Sequence, residues 1–227
     1  MRTTRATNTS DSYPMRPQVK ICGLKTAATM QAALDAGADY VGLNFFAKSP
    51  RYVSLEAAST LADVARDVAK IVALLVDPAN ELVDEIMPWL APDILQLHGS
   101  ETPARAAEIK RRTGAQIMKV IKVETAADAA SALNFAGIAD LILFDTKAPK
   151  GADLPGGNGV AFDWRMLDDV KDKVPYMLAG GLTPANVAAA IRQTGATRVD
   201  VASGVETSPG EKDADLIRAF IANAKAI

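Results

Sequence analysis

The chain has 227 residues, of which 49% are hydrophobic, and its formal net charge is −2 at pH 7. This length and apolar content suffice for one large core, and the lack of a basic surplus argues against nucleic acid or an anionic membrane as a partner. One cysteine rules out an internal disulfide and fits a reducing, cytoplasmic compartment, and one histidine argues against a metal site built on several imidazoles. We therefore expect a small polar ligand and no metal.

The first 17 residues are polar and carry three arginines against one acid. They lack the apolar centre of a secretory signal, and no run in the chain approaches the about 20 apolar residues of a membrane-spanning helix. The composition predicts a disordered extension over residues 1–17, with a transit peptide as the alternative.

Beyond this extension the chain alternates between short apolar, β-branched runs and stretches with helical periodicity. The predicted strands begin near Val19, Tyr40, Ile71, Ile94, Gln116, Leu141, Tyr176 and Arg198. The predicted helices run from Thr26 to Ala36, from a cap at Ser54, from Pro78, from Pro103 to Gly114, over 126–135, over 164–171, from Thr183 to Gly195 and over 213–226.

Eight strands alternating with eight helices predict an α/β fold of the (β/α)₈ TIM-barrel type, as a single domain over residues 18–227. An open, doubly wound sheet gives the same local pattern. Closure is favoured by the strand count and by Lys20, Gln96 and Asp200, polar residues that alternation directs inward. A closed barrel can satisfy these groups among themselves, whereas an open sheet would bury them against helices.

The stretch Val-Lys-Ile-Cys-Gly-Leu places Cys22 at the C-terminal end of the first predicted strand. Barrel active sites lie at that end, although a lone cysteine is more often a small buried hydrophobe. An ordinary thiol has a pKa of about 8.5 and is only slightly ionised at neutral pH. A catalytic Cys22 therefore needs a cationic neighbour such as Lys20, or contacts with the ligand.

Asp145 follows the apolar run Leu-Ile-Leu-Phe at the end of the sixth predicted strand. A capping aspartate is common after a strand and is the alternative interpretation. In a barrel, the first and sixth strands end on opposite sides of the same mouth. A thiol and a carboxyl placed there can remove and supply protons on one substrate.

Small residues follow the seventh and eighth predicted strands: Gly180 and Gly181 after the seventh, Ser203 and Gly204 after the eighth. Loops at these two places commonly bind a phosphate group through backbone N–H groups. Either pair alone is compatible with a simple turn. Their joint occurrence predicts a phosphate site.

Three further residues fall in predicted loops or at strand ends. Arg51 follows the second strand, where a guanidinium is either solvated or available to bind a carboxylate in bidentate fashion. Asn158 lies in a glycine-rich loop, 154–160, that is suited to act as a lid. His98 ends the fourth strand beside Gln96, and we expect it to line the pocket rather than to catalyse, because the sequence supplies no orienting partner for it.

Six motifs, in order along the chain, resemble those of phosphoribosylanthranilate isomerase. They are Val-Lys-Ile-Cys-Gly-Leu at 19–24, Lys-Ser-Pro-Arg-Tyr at 48–52, Leu-Gln-Leu-His-Gly at 95–99, Leu-Pro-Gly-Gly-Asn-Gly with Phe-Asp-Trp within 154–164, Leu-Ala-Gly-Gly-Leu at 178–182 and Val-Asp-Val-Ala-Ser-Gly-Val-Glu at 199–206. Asn158 stands where this family often has Thr or Ser.

The resemblance implies an Amadori rearrangement in tryptophan biosynthesis without a cofactor. The phosphorylated substrate would be N-(5-phosphoribosyl)anthranilate, and the product 1-(2-carboxyphenylamino)-1-deoxyribulose 5-phosphate. It implies that Asp145 is the general acid that opens the ribose ring and that Cys22 is the general base that takes the C2′ proton. Arg51 would hold the anthranilate carboxylate, the glycine loops the phosphate, and His98 and Asn158 would line the substrate pocket.

Two other classes share part of this pattern. A sugar-phosphate epimerase or an indole-forming synthase would also carry the glycine loops, but would need metal-binding histidines or a catalytic lysine and glutamate set. A non-catalytic sensor of phosphorylated ligands would not need a thiol and a carboxyl at facing strand ends. No strongly apolar helix face stands out in the sequence, so we expect a monomer.

Overall fold

The computed structural model of the chain describes residues 16–147 and 161–227, in which eight parallel strands close into a barrel. The strands are β1 Gln18–Cys22, β2 Tyr40–Asn44, β3 Lys70–Leu75, β4 Ile94–Leu97, β5 Gln116–Val123, β6 Leu141–Thr146, β7 Tyr176–Leu178 and β8 Arg198–Val201. The helices are α1 Ala27–Asp35, α2 Leu55–Ala65, α3 Asn80–Leu90, α4 Pro103–Thr113, α5 Ala126–Ala130, α6 Val187–Thr194 and α7 Ala214–Lys225. An antiparallel hairpin, β9 Glu206–Ser208 and β10 Glu211–Lys212, follows β8.

The barrel closes through β1, which pairs in parallel with both β2 and β8. Lys20 is the register partner of Tyr40 on one side and of Asp200 on the other. The predicted TIM barrel is therefore confirmed, and the open-sheet alternative is wrong. The disorder expected of residues 1–17 stays a prediction, because residues 1–15 lie outside the described part of the chain.

Alternation along the strands separates two apolar cores. The interior of the barrel is filled by Tyr40, Val72, Ile94, Met118, Val120, Leu141, Leu143, Met177 and Ala179. Residues of the opposite parity, such as Val19, Ile21 and Val41, face the helices and belong to the larger outer core. Side chains of the interior parity that lie beyond the apolar layer therefore reach the mouth of the barrel.

Helix boundaries follow from local chemistry in most cases. Thr26, Ser54 and Thr102 each accept a hydrogen bond from a backbone N–H of the first helical turn. Gly114 and Gly195 end α4 and α6 with φ of 69°, a left-handed conformation that glycine adopts without strain.

The start of α3 differs from the prediction, because the helix begins at Asn80 and not at Pro78. The Pro78 carbonyl accepts a hydrogen bond from Arg105 Nη2 at 2.8 Å, and Asn80 Oδ1 accepts one from Nη1 at 2.7 Å. Arg105 on α4 thus holds the turn before α3. Such a contact with the next helix leaves no trace in the local sequence.

Two later helices are shorter than predicted. The stretch 164–171 forms only a short 3₁₀ helix, Trp164–Leu167. The seventh predicted helix begins at Val187 instead of near Thr183. The Asn186 side chain accepts a hydrogen bond from the Thr183 N–H at 2.7 Å and donates one to a carbonyl of the preceding turn at 3.0 Å, which keeps this segment in a turn.

A buried ion pair links β1 to β8 inside the barrel. Lys20 Nζ donates to Asp200 Oδ1 at 2.8 Å, and the Lys20 side chain is 0% exposed. Burial alone would lower the pKa of Lys20, but Asp200 and the thiol of Cys22 outweigh it and the pKa is raised. The expectation that inward polar residues satisfy one another is met by this pair.

Replacing Lys20 with Met should lower the free energy of unfolding by about 3–5 kcal/mol, because it leaves the Asp200 carboxylate buried without its partner. Urea unfolding followed by circular dichroism measures the effect. The double variant Lys20→Met/Asp200→Leu should recover most of the loss, since it removes both charges. If Lys20→Met were as stable as the unaltered protein, burial of the unpaired Asp200 carboxylate would not cost the expected free energy of unfolding.

No helix within residues 16–147 and 161–227 is both long enough and apolar enough to cross a membrane.

Candidate active site

The C-terminal mouth of the barrel collects most of the predicted site residues. Cys22 ends β1, His98 directly follows β4, and Asp145 lies near the end of β6. All three are buried and have the interior parity of their strands. The glycine loops follow β7 and β8 at the same end. Asn158 lies outside the described residues.

Cys22 is 4% exposed and lies beside a lysine. The charge of Lys20 favours the ionised form of the thiol. Burial is nevertheless the larger effect, and together with the nearby Asp200 it raises the pKa of the Cys22 thiol, although Lys20 and Lys212 oppose this. The cationic neighbour expected from the sequence is therefore present, although burial outweighs its effect on the pKa of the thiol.

Gly42 on β2 leaves the space that the thiol occupies. A Cβ added at Gly42 would lie 3.0 Å from Cys22 Sγ, 3.1 Å from Cys22 Cα and 3.2 Å from Lys20 Nζ. All three atoms belong to the buried core of β1. The absence of a side chain at this position therefore sets the packing around Cys22.

Replacing Gly42 with Ala should destabilise the protein by about 1–3 kcal/mol, because the new methyl group overpacks a rigid part of the barrel. Thermal unfolding measures the stability, and the rate of alkylation of Cys22 by iodoacetamide reports on the thiol. Unchanged values of both would mean that the neighbouring atoms make room at no cost.

Asp145 is held by contacts from two directions. Its Oδ1 accepts a hydrogen bond from the Thr146 N–H at 2.8 Å, and its Oδ2 lies 3.5 Å from His98 Nε2. Gln96 Nε2 lies 3.2 Å from His98 Nδ1. The imidazole of His98 thus lies between the Gln96 amide and the Asp145 carboxyl. These two neighbours orient the ring, and the sequence analysis had not identified them as its partners.

The loop after β7 touches the end of β6 closely. Gly180 has a φ of 83°, and a Cβ there would collide with the Thr146 hydroxyl and lie 3.2 Å from Asp145 Oδ1. Gly181 also has a left-handed φ, of 64°. Position 180 therefore requires glycine, because a side chain there would collide with Thr146 next to the Asp145 carboxyl.

The loop after β8 is equally close-packed. Ser203 and Gly204 open a short 3₁₀ helix, Ser203–Val205, and both are half-buried. A Cβ on Gly204 would overlap the Leu182 carbonyl, which belongs to the loop after β7. The two predicted phosphate loops therefore lie side by side.

Arg51 is 7% exposed and is already engaged by a carboxylate. Its Nε and Nη2 donate to the two oxygens of Glu206, each at 2.8 Å. Lys212 Nζ donates to Glu206 Oε1 at 2.7 Å and to the Ala202 carbonyl at 2.8 Å. Burial would raise the pKa of Glu206, but Arg51 and Lys212 hold it below its ordinary value.

The sequence analysis did not single out Glu206 or Lys212. Glu206 is the last residue of the sixth motif, so its place in that motif could have marked it as a candidate site residue. Its partner Arg51 lies 155 residues earlier in the chain, and only the closed barrel brings the two together.

Lys122 is a further residue of the mouth that the sequence analysis did not single out. It lies near the end of β5, is half-buried, and is the register partner of Asp145 on β6. Burial lowers the pKa of Lys122, and the charge of nearby Lys119 acts in the same direction.

Known proteins match the chain over nearly its whole length. The family model of N-(5′-phosphoribosyl)anthranilate (PRA) isomerase matches residues 19–223. N-(5′-phosphoribosyl)anthranilate isomerase of Rhodopseudomonas palustris strain BisB18 is 55% identical over 208 residues, which make up 92% of this chain and 95% of that protein.

Solved structures agree in fold and family. The crystal structure of phosphoribosyl anthranilate isomerase from Thermotoga maritima is 35% identical, with a TM-score of 0.84 over 93% of this chain and 100% of that chain. A crystal structure of such an isomerase in complex with reduced 1-(o-carboxyphenylamino)-1-deoxyribulose 5-phosphate is 32% identical, with a TM-score of 0.81 and the same coverage of 93% and 100%. The chain therefore belongs to the phosphoribosylanthranilate isomerase family and is an isomerase of tryptophan biosynthesis.

Proposed function

We propose that Asp145 is the general acid and Cys22 the general base of the Amadori rearrangement of N-(5-phosphoribosyl)anthranilate. The observation that carries this assignment is that both side chains are buried at the same mouth of one barrel, on β1 and β6. The product is 1-(2-carboxyphenylamino)-1-deoxyribulose 5-phosphate. A relative of known structure binds the reduced form of that compound.

Asp145 and Cys22 carry out the first two proton transfers of the reaction. Asp145 gives its proton to the ring oxygen of the ribose, the C1′–O bond breaks, and the nitrogen lone pair forms the C1′=N⁺ bond of a Schiff base. Cys22 then takes the proton from C2′, and the electrons of that C–H bond form the C1′=C2′ bond of an enolamine as the iminium nitrogen is neutralised. The enolamine tautomerises to the ketoamine, with no net oxidation.

The contacts of Asp145 suit a group that must stay in one orientation. The Thr146 N–H fixes one oxygen, and His98 lies against the other at 3.5 Å. Because Asp145 is only 8% exposed, water competes little for the proton that it delivers.

Two lysines near Cys22 stabilise its thiolate form. Lys20 and Lys212 both favour the ionised thiol, whereas burial disfavours it. The thiol therefore rests mainly protonated near neutral pH, and the small thiolate fraction is the active base.

The anionic ends of the substrate have separate sites in this proposal. The phosphate binds to backbone N–H groups at Gly180, Gly181, Ser203 and Gly204, where the two loops lie side by side. The ring carboxylate binds to Arg51 through the N–H groups that Glu206 leaves open. We propose that His98 lines the substrate pocket, and that Asn158, which lies outside the described residues, contributes to substrate binding as the motif implies.

The activity is tested by incubating purified protein with N-(5-phosphoribosyl)anthranilate and no added metal or cofactor, and following the loss of substrate fluorescence. Turnover that disappears in the Cys22→Ala variant supports the proposal. Tight binding of the substrate without turnover would instead favour the phosphate-ligand sensor.

We propose a cytoplasmic location, which the lone reduced cysteine supports, and a monomeric state. Sedimentation equilibrium tests the second point, and a dimer at micromolar concentration would refute it.

A further inference from the structure

Lys122 carries a charge in the barrel mouth that the proposed reaction does not use. Met118 and Val120 on the same strand belong to the interior core, and Lys122 continues their alternation towards the C-terminal mouth. Its register partner on the next strand is Asp145. Lys122 is thus the strand neighbour of the proposed general acid.

The ammonium of Lys122 makes no ion pair within residues 16–147 and 161–227, and the charges of Asp145, Glu101 and Asp77 do not make up for its burial. Other buried lysines of the barrel are paired: Lys119 Nζ lies 2.6 Å from Glu101, and Lys20 Nζ lies 2.8 Å from Asp200. An unpaired, half-buried cation is costly, as the lowered pKa of Lys122 reflects. A bound anion would remove that cost.

We infer that Lys122 on β5 binds the ring carboxylate of the substrate, as a second cation in addition to Arg51. This inference rests on the proposed function, because it takes the substrate and the role of Asp145 from there. The order of groups around the rim supports it. The phosphate loops follow β7 and β8, Asp145 is on β6, and Lys122 is on β5.

The substrate has the same order of groups. The phosphate is at one end, the ribose ring oxygen and C1′ are in the middle, and the anthranilate ring is bonded at C1′. With the phosphate on the loops and the ring oxygen at Asp145, the aromatic ring extends towards β5, which lies about 4.8 Å further along the sheet. Its carboxylate, next to the bonded nitrogen, then comes within reach of the long Lys122 side chain.

The charge of Lys122 is also the more available of the two. Arg51 already shares both oxygens of Glu206, at 2.8 Å each, so its attraction for a second carboxylate is reduced. No carboxylate among the described residues forms an ion pair with Lys122, although the charges of Asp145, Glu101 and Asp77 act on it.

The test compares two ligands by isothermal titration calorimetry. One is reduced 1-(o-carboxyphenylamino)-1-deoxyribulose 5-phosphate, and the other is its phenylamino counterpart without the carboxyl group. Lys122→Met should weaken binding of the first about 10- to 100-fold and of the second by less than about twofold, since only the first offers a charge-assisted hydrogen bond to lose. Lys122→Arg should retain most of the affinity, because it retains the charge.

Lys70→Met is the matched control, since Lys70 begins β3 at the opposite mouth and is exposed. It should change neither affinity. An equal loss for both ligands in Lys122→Met, or no loss for either, would overturn the inference, and Lys122→Gln serves if the Met variant does not fold. If the unaltered protein neither converts N-(5-phosphoribosyl)anthranilate nor binds the reduced product, the proposed function itself has failed.

Discussion

Replacing Asp145 with Asn should lower kcat by about 10²–10⁴-fold and leave KM within a small factor of its original value. The amide has nearly the same shape and can still accept the Thr146 N–H, which now lies 2.8 Å from Oδ1. It cannot give a proton to the ribose ring oxygen, so only the transition state loses an interaction. Steady-state kinetics with N-(5-phosphoribosyl)anthranilate measure both constants.

His98→Asn is the companion variant for Asp145. The imidazole touches the carboxyl at 3.5 Å but has no proton transfer of its own in the proposed reaction. Its loss should therefore cost less in kcat than the loss of the acid. Near-normal turnover of Asp145→Asn, or a larger loss in His98→Asn, would transfer the role of acid away from Asp145.

Replacing Cys22 with Ala should lower kcat by a similar factor, about 10²–10⁴-fold, because C2′ then has no positioned base. The pH dependence gives a second signature. Burial raises the pKa of the thiol, so at neutral pH the thiolate is the minor form and its fraction grows with pH. When removal of the C2′ proton limits turnover, the kcat of the unaltered protein should rise with pH through the neutral range and level off only above the ordinary pKa of a thiol.

Cys22→Ala must lose this alkaline rise if the thiolate is the base. The readout is the pH profile of kcat for the two proteins in the same buffers, with circular dichroism to verify folding at each pH. A rise of kcat with pH that persists in Cys22→Ala would contradict the assignment.

The parts of the fold that sequence could predict are those controlled by neighbouring residues. Strand starts at Tyr40, Ile94 and Gln116 coincide with the predictions, because a short β-branched run between turns already determines a strand. The inward polar residues Lys20 and Asp200 predicted closure correctly, since each needs a partner that only the closed barrel supplies.

The contacts that sequence could not predict join residues far apart in the chain. Glu206 binds Arg51 across 155 positions, and His98 meets Asp145 from another strand. Neither pairing follows from local periodicity, because it depends on which strands become neighbours at the mouth. The candidate acid, base and phosphate loops were therefore visible in the sequence, whereas their orienting partners were not.

The net direction in which the pKa of the Cys22 thiol moves could not be predicted from the sequence, for a related reason. A lysine two positions away was visible in the sequence, but the degree of burial was not. Burial outweighs the lysine, so the sign of the shift depends on packing contributed by β2 and β8.

Trapping with borohydride under single-turnover conditions tests most directly whether Asp145 acts before Cys22 on one substrate. In Cys22→Ala the acid is intact, so the Schiff base should accumulate and be reduced to N-(5-phosphoribityl)anthranilate. In Asp145→Asn the ring stays closed and much less of that adduct should form. Equal trapping in both variants, or more in Asp145→Asn, would contradict the division of the two proton transfers between the carboxyl and the thiol.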